Sequence, residues 1–175
     1  MDTLGSLLDN LTQALFTLDA SLPWLAAVLG LACVGHGLIL CIRHTKTHTH
    51  LGAGLAHLCI GFLLFSIHAF VEALSLSFFE EEVSLSKELS HIAGTSVIRP
   101  YLRFSVAVVV LVGTISILKG LWYLRRASME NDTPLVLGIG HIAAGVVCVN
   151  IITFAEILGK TCGGAVQQIL TLLFL

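Results

Sequence analysis

Four long apolar runs govern what this chain can become: Leu22–Ile42, Leu51–Phe79, Tyr101–Leu124 and Leu135–Leu158. Each is as long as the roughly 20 residues that carry a helix across a bilayer. Short polar segments separate them, which leaves no room for a soluble domain of ordinary size. Only 11% of the residues are charged and 56% are hydrophobic. A soluble domain carries about 25% charged residues, so a water-covered globule is excluded, and so is a disordered chain. The formal charge of −2 argues against direct nucleic-acid binding. A membrane β-barrel would need alternating strands of about 10 residues. Runs such as Val106–Val112 and Ile60–Phe65 do not alternate. The expected fold is all-α, with four transmembrane helices.

Residues 1–21 read differently. Leu4, Leu7, Leu8, Leu11, Leu15 and Leu18 recur every three or four positions, one face of a helix. Asp2, Asp9 and Asp19 accompany them without any Lys or Arg, unlike the basic start of a signal peptide. An amphipathic helix lying along the membrane surface is expected there. The organisation that follows is an interfacial helix over 1–21, a first hairpin over 22–79, a polar loop over 80–100, a second hairpin over 101–158, and a short apolar tail over 159–175.

The two hairpins repeat each other. Gly54, His57, Gly61 and Ile67 superpose without a gap on Gly138, His141, Gly145 and Ile151, and Glu72 falls on Glu156. With one extra residue in the second turn, Gly37 falls on Gly120 and Arg43 on Arg126. Each half is a helix, a short basic turn and a second helix carrying G-x-x-H-x-x-x-G and a late Glu. Two spans per half return the chain to its starting side, so the repeats are parallel. Small-residue rows, Ala26-x-x-x-Gly30 and Gly140-x-x-x-Ala144, are candidates for close helix packing, with Ser66 and Asn150 as interhelical hydrogen-bonding groups.

Basic residues in short loops set orientation. Arg43, Lys46, Lys119, Arg125 and Arg126 cluster at the two hairpin turns, while Asp2, Asp9, Asp19, Glu80, Glu81, Glu82 and Glu88 lie on the other side. The turns are expected to be cytoplasmic. Both termini and the 80–100 loop are then expected outside.

Three sets of residues carry candidate chemistry. His57 and His141, at matching positions, could ligate a haem from two sides; hydrogen bonding within the helix bundle is the favoured role. His44, His48 and His50 share one turn and could bind zinc or copper, but a solvated loop needs no ligand. Glu72 and Glu156 are intramembrane acids of the kind that serve proton or ion transport, though both sit near the water side. Cys33, Cys41, Cys59, Cys148 and Cys162 are odd in number and show no CxxC spacing, so they read as packing residues. No nucleophile motif, phosphate loop or metalloprotease motif occurs. No cofactor, no metal and no enzymatic activity are expected.

The second half carries Lys119-Gly120 and a basic, aromatic helix end at Trp122-Tyr123-Leu124-Arg125-Arg126. After the turn come His141-x-x-x-Gly145, Asn150-Ile151 and a closing Gly159. This pattern resembles the small inner-membrane proteins of Dot/Icm type IVB secretion and I-type conjugation systems, the IcmC/DotE, DotV and TraQ kind. It covers roughly the C-terminal third; the first half has Ser66 in place of Asn150. The resemblance implies a non-enzymatic subunit of the bacterial inner membrane, partnered by other secretion or conjugation subunits and the lipid bilayer. Each hairpin also has the form of a conjugative pilin, two helices joined by a basic cytoplasmic turn, which suggests homo-oligomeric packing in a ring or filament.

Overall fold

The computed structural model describes residues 2–47, 51–79, 99–128 and 135–162. The side chains of residues 2, 3, 44–47, 99 and 162 lie outside that description. So do the acidic segment Glu80–Glu82 with Lys87 and Glu88, the histidines at 48 and 50, and the expected tail beyond 162.

Among the described residues the chain is helical throughout, in six helices. These are α1 (Asp2–Thr47), α2 (Leu51–Phe65), α3 (Ile67–Phe79), α4 (Arg99–Ala127), α5 (Leu135–Val149) and α6 (Ile151–Cys162). α1 and α4 are each long and apolar enough to cross a membrane. The α2–α3 and α5–α6 pairs are also apolar enough, but each is bent, by 85° and 84°.

The first departure from expectation is α1. Residues 1–21 do not form a separate helix; α1 runs unbroken for 46 residues, about 69 Å. Pro23 lies inside it and withholds the N–H that would bond to the Asp19 carbonyl. The helix nevertheless continues through it. The leucine face is turned outward, with Leu4, Leu7, Leu11 and Leu18 exposed. Thr12, Phe16 and Ala26 face the bundle instead. An exposed leucine row costs nothing in lipid, whereas a hydroxyl or carboxylate there must find a partner.

The second departure is the pair of bends. The runs 51–79 and 135–158 read as straight spans in the sequence; each breaks at one residue, Ser66 and Asn150. The Ser66 hydroxyl donates to the Phe62 carbonyl at 2.8 Å, and the Asn150 side-chain amide donates to the Val146 carbonyl at 2.8 Å. The backbone N–H of each residue bonds the same carbonyl, at 3.0 and 3.2 Å. The same side-chain bond from Thr17, Ser77 and Ser105 leaves their helices unbroken, so it accompanies the two bends without being sufficient for them. Each residue's own carbonyl then accepts the first bond of the next helix, from Phe70 and from Phe154, both at 2.9 Å.

The hairpins are joined at glycines. In α1 and α2, Gly30 meets Gly61 and Gly37 meets Gly54; in α4 and α5, Gly113 meets Gly145 and Gly120 meets Gly138. The repeat superposes all four residues of the first set on the second. The side chains against the glycines correspond too: Val34 and Ile117 on Gly61 and Gly145, Cys41 and Leu124 on Gly54 and Gly138. A Cβ at Gly145 would lie 2.5 Å from the Ile117 side chain and 2.7 Å from the Gly113 carbonyl. In lipid no hydrophobic force pushes helices together, so close backbone approach supplies the packing energy. The row Gly140-x-x-x-Ala144 does not form a crossing: a Cβ at Gly140 would meet nothing within 4 Å, and Ala144 is exposed. The crossing face of α5 is Gly138–Ile142–Gly145, a few residues around the helix.

Gly145→Leu is expected to lower unfolding stability in detergent by about 1–3 kcal/mol, the usual cost of overpacking. Gly140→Leu should leave it nearly unchanged. Denaturant titration followed by circular dichroism compares the two, and equal losses would contradict the crossing.

Candidate functional site

Glycine holds each hairpin together, and the two hairpins share an apolar core crossed by polar side-chain contacts. The polar contacts lie at two levels of the bundle. Near the turns, the Arg125 Nε–H of α4 donates to Nε2 of His57 on α2 at 3.1 Å. His57 is fully buried. Its Nδ1 lies 2.8 Å from the Ala53 carbonyl. Arginine can only donate, so Nε2 is the acceptor and Nδ1 carries the proton. His57 is thus a neutral imidazole with both nitrogens engaged, which leaves no lone pair for iron. The Arg125 guanidinium also lies over the Trp122 ring, 4.6 Å from its centroid, and the His36 ring stands 5.3 Å from His57.

Near the bends there are two further links. The Asn150 amide donates to the Ser75 hydroxyl of α3 at 3.0 Å, with both residues buried. The Asn150 carbonyl oxygen is buried without a hydrogen-bond partner. The Thr114 hydroxyl of α4 lies 3.0 Å from an Asp19 carboxylate oxygen on α1 and 3.2 Å from the Val110 carbonyl. Beside this last pair is a cavity of about 170 Å³. Asp19 and Pro23 come to it from α1, Ile67 and His68 from just beyond the first bend, Thr114 from α4, and Val149 from just before the second bend.

The expected site residues distribute as follows. Ala26, Gly30, Gly54, Gly61, Gly138 and Gly145 are all buried at helix contacts. Ser66 is exposed and bonds within its own chain turn, while Asn150 does link two helices. His57 and His141 occupy equivalent places but unlike surroundings. His141 is half-buried and stays in its own hairpin, with Tyr123 stacked on it at 5.3 Å and the Ser116 hydroxyl donating to its backbone carbonyl at 2.9 Å. Glu72 is half-buried on α3 and Glu156 exposed on α6, both beyond the bends. Neither lines the cavity; Asp19 does. Of the basic turn residues, Arg43, Lys119 and Arg126 are exposed, but Arg125 reaches back into the bundle. The side chain of Lys46 lies outside the described residues.

Asp19, Thr114, Ser75 and the Arg125–His57 pairing escape a reading of the sequence. Asp19 carried a signal all the same: it stands four residues before Pro23, the position whose carbonyl a proline leaves unbonded. Nothing local marks Ser75 or Thr114.

Comparison with protein-family models, with curated proteins and with solved structures finds no match for this chain.

His57→Leu removes the acceptor of the half-buried Arg125 guanidinium, and should cost about 1–2 kcal/mol of stability. Adding Arg125→Leu should recover part of that loss, a coupling that a double-mutant cycle reads directly. Strictly additive losses would show that the pair does not link the hairpins.

Proposed function

We propose that this chain is a non-enzymatic, multi-pass subunit of the bacterial inner membrane that assembles within a type IVB secretion or conjugation apparatus. One observation carries the reading. The residues on which the resemblance rests are spent on the shape of the molecule. Gly120 and Gly145 sit at helix crossings, Asn150 forms a bend and bridges two helices, Ile151 opens the following helix, and His141 stacks on Tyr123. A motif used for helix geometry suits a subunit whose role is to be packed against others.

In this reading α1 and α4 cross the membrane, and the α2–α3 and α5–α6 pairs enter it from the turn side. Tyr101 and Trp122 of α4 are about 32 Å apart, close to the hydrocarbon thickness of about 30 Å. Their rings suit the two interfaces. α2 and α5 have 15 residues each, about 22 Å, so the bends lie within the bilayer. α3 and α6, nearly at right angles to them, run along it. The basic turns face the cytoplasm, and the 80–100 loop and both termini face the periplasm. The subunit associates with further copies or with other subunits of the machine and makes no direct contact with nucleic acid.

A second reading, a small ion-coupled transporter, is favoured by the carboxylate of Asp19 in a cavity beside two broken helices, the usual place for a transported substrate. It moves the interest from Glu72 and Glu156 to Asp19. Proton-coupled flux into liposomes, lost in Asp19→Asn, would select it.

Clean deletion of the gene is expected to abolish DNA or effector transfer, with restoration by the wild-type copy. Unimpaired transfer would refute the assembly reading. A periplasmic reporter fused at Ser84 should be active, and a cytoplasmic one silent; the reverse result would invert the orientation.

A further inference from the structure

The cavity at the seam combines one carboxylate with an apolar wall. Leu22, Val71, Val110 and Leu118 complete the lining around the residues already named, so seven of its ten residues are apolar. The polar members are Asp19, Thr114 and His68. Thr114 has one hydroxyl proton, and two acceptors compete for it, the Asp19 carboxylate and the Val110 carbonyl. The Asp19 carboxylate is therefore incompletely satisfied by the protein. Its backbone carbonyl also lacks the N–H that any residue but proline would supply at position 23. At the Asp19 end the wall thus offers more acceptors than the Thr114 hydroxyl can serve, and His68 is the other lining residue with an N–H to give.

A hard metal ion does not suit this set, because such ions take about six oxygens. A purely apolar molecule would leave the carboxylate facing hydrocarbon, which is costly. The volume is close to that of an engineered cavity of about 150 Å³ that takes benzene. The complement is an ammonium group on a compact apolar body. We propose that this cavity is a binding site for a small hydrophobic ammonium, with the N–H groups donating to Asp19 and the body lying against Leu22, Ile67, Val71 and Leu118. The cation meets the Asp19 carboxylate at one end, and both helix bends border the site. Its occupation therefore bears on how the two halves are held together, and it stands whichever machine the subunit serves.

The test uses the full chain in nanodiscs, with benzylammonium as the probe and benzyl alcohol as its neutral counterpart. Benzylammonium is expected to raise the melting temperature saturably, and benzyl alcohol to do so far less. Asp19→Asn should weaken the apparent affinity for benzylammonium about tenfold or more, the worth of a charged hydrogen bond. Val71→Phe, which fills the cavity and leaves the carboxylate in place, should abolish the response as well. Equal responses to the two probes would overturn the proposal. So would a benzylammonium response that survives both substitutions, since that is partition into lipid.

Discussion

Backbone contact at glycine is the interaction on which the rest of this structure depends. Hydrocarbon solvates a leucine as well as another leucine does, so apolar helices gain little by meeting unless their surfaces fit closely. Gly30, Gly37, Gly54 and Gly61 bring α1 and α2 within reach of each other's carbonyls, and Gly113, Gly120, Gly138 and Gly145 do the same for α4 and α5. Everything else is placed by these crossings. They fix the depth of His57 beside Gly37, and they bring Ser66 and Asn150 to the ends of equally long inner helices.

The seam between the hairpins obeys a different rule. Apolar side chains of both hairpins share one core there, and the polar links described above cross it without being repeated. In the frame of the repeat, Arg125 corresponds to Ile42, Asp19 to Leu102, Thr114 to Leu31 and Ser75 to Gly159. Each polar link therefore has an apolar or small counterpart that cannot reproduce it. The Asp19–Thr114 contact also joins positions that are not equivalent, since Thr114 matches Leu31, 12 residues or about 18 Å farther along α1. A twofold axis along the helices would set equivalent residues of α1 and α4 level with each other, and this offset departs from that. One scaffold occurs twice, and the links between its copies specify a single, staggered way of combining them. Hydrogen bonds between membrane helices average only about 0.6 kcal/mol each. Their value here lies in selecting the pairing, because the Asp19 carboxylate or the Asn150 amide placed against the wrong helix face would lose its partner.

Much of this was legible in the sequence, and the misses have physical reasons. The repeat, the glycines at 54, 61, 138 and 145, and the burial of His57 could be read from residue spacing. Hydropathy could not reveal the bends. α3 and α6 are as apolar as helices that continue straight, and a Ser or Asn within an apolar run looks like any other tolerated polar residue. Thr17, Ser77 and Ser105 bond to the carbonyl four residues back without any break, so the residue type alone does not mark a bend. The row Gly140-x-x-x-Ala144 misled because small residues are frequent in such helices, and spacing does not say which of two neighbouring faces meets a partner. α1 differs in its continuity: the leucine stripe faces outward, but the helix that carries it runs on through Pro23 into the following apolar run, because a proline in a helix need not end it.

The most direct test of two glycine-joined hairpins bound by a single polar seam is disulfide trapping across that seam. In a chain freed of its native cysteines, Ser75→Cys and Asn150→Cys are introduced together with a protease site in the 80–100 loop. Oxidation followed by cleavage should leave the two halves covalently joined, and reduction should release them. The equivalent pair, Ser66→Cys with Gly159→Cys, should separate on cleavage even after oxidation. Joining of both pairs would reveal a symmetric arrangement of the halves, and joining of neither would mean that the hairpins do not meet as described; either result would contradict the account.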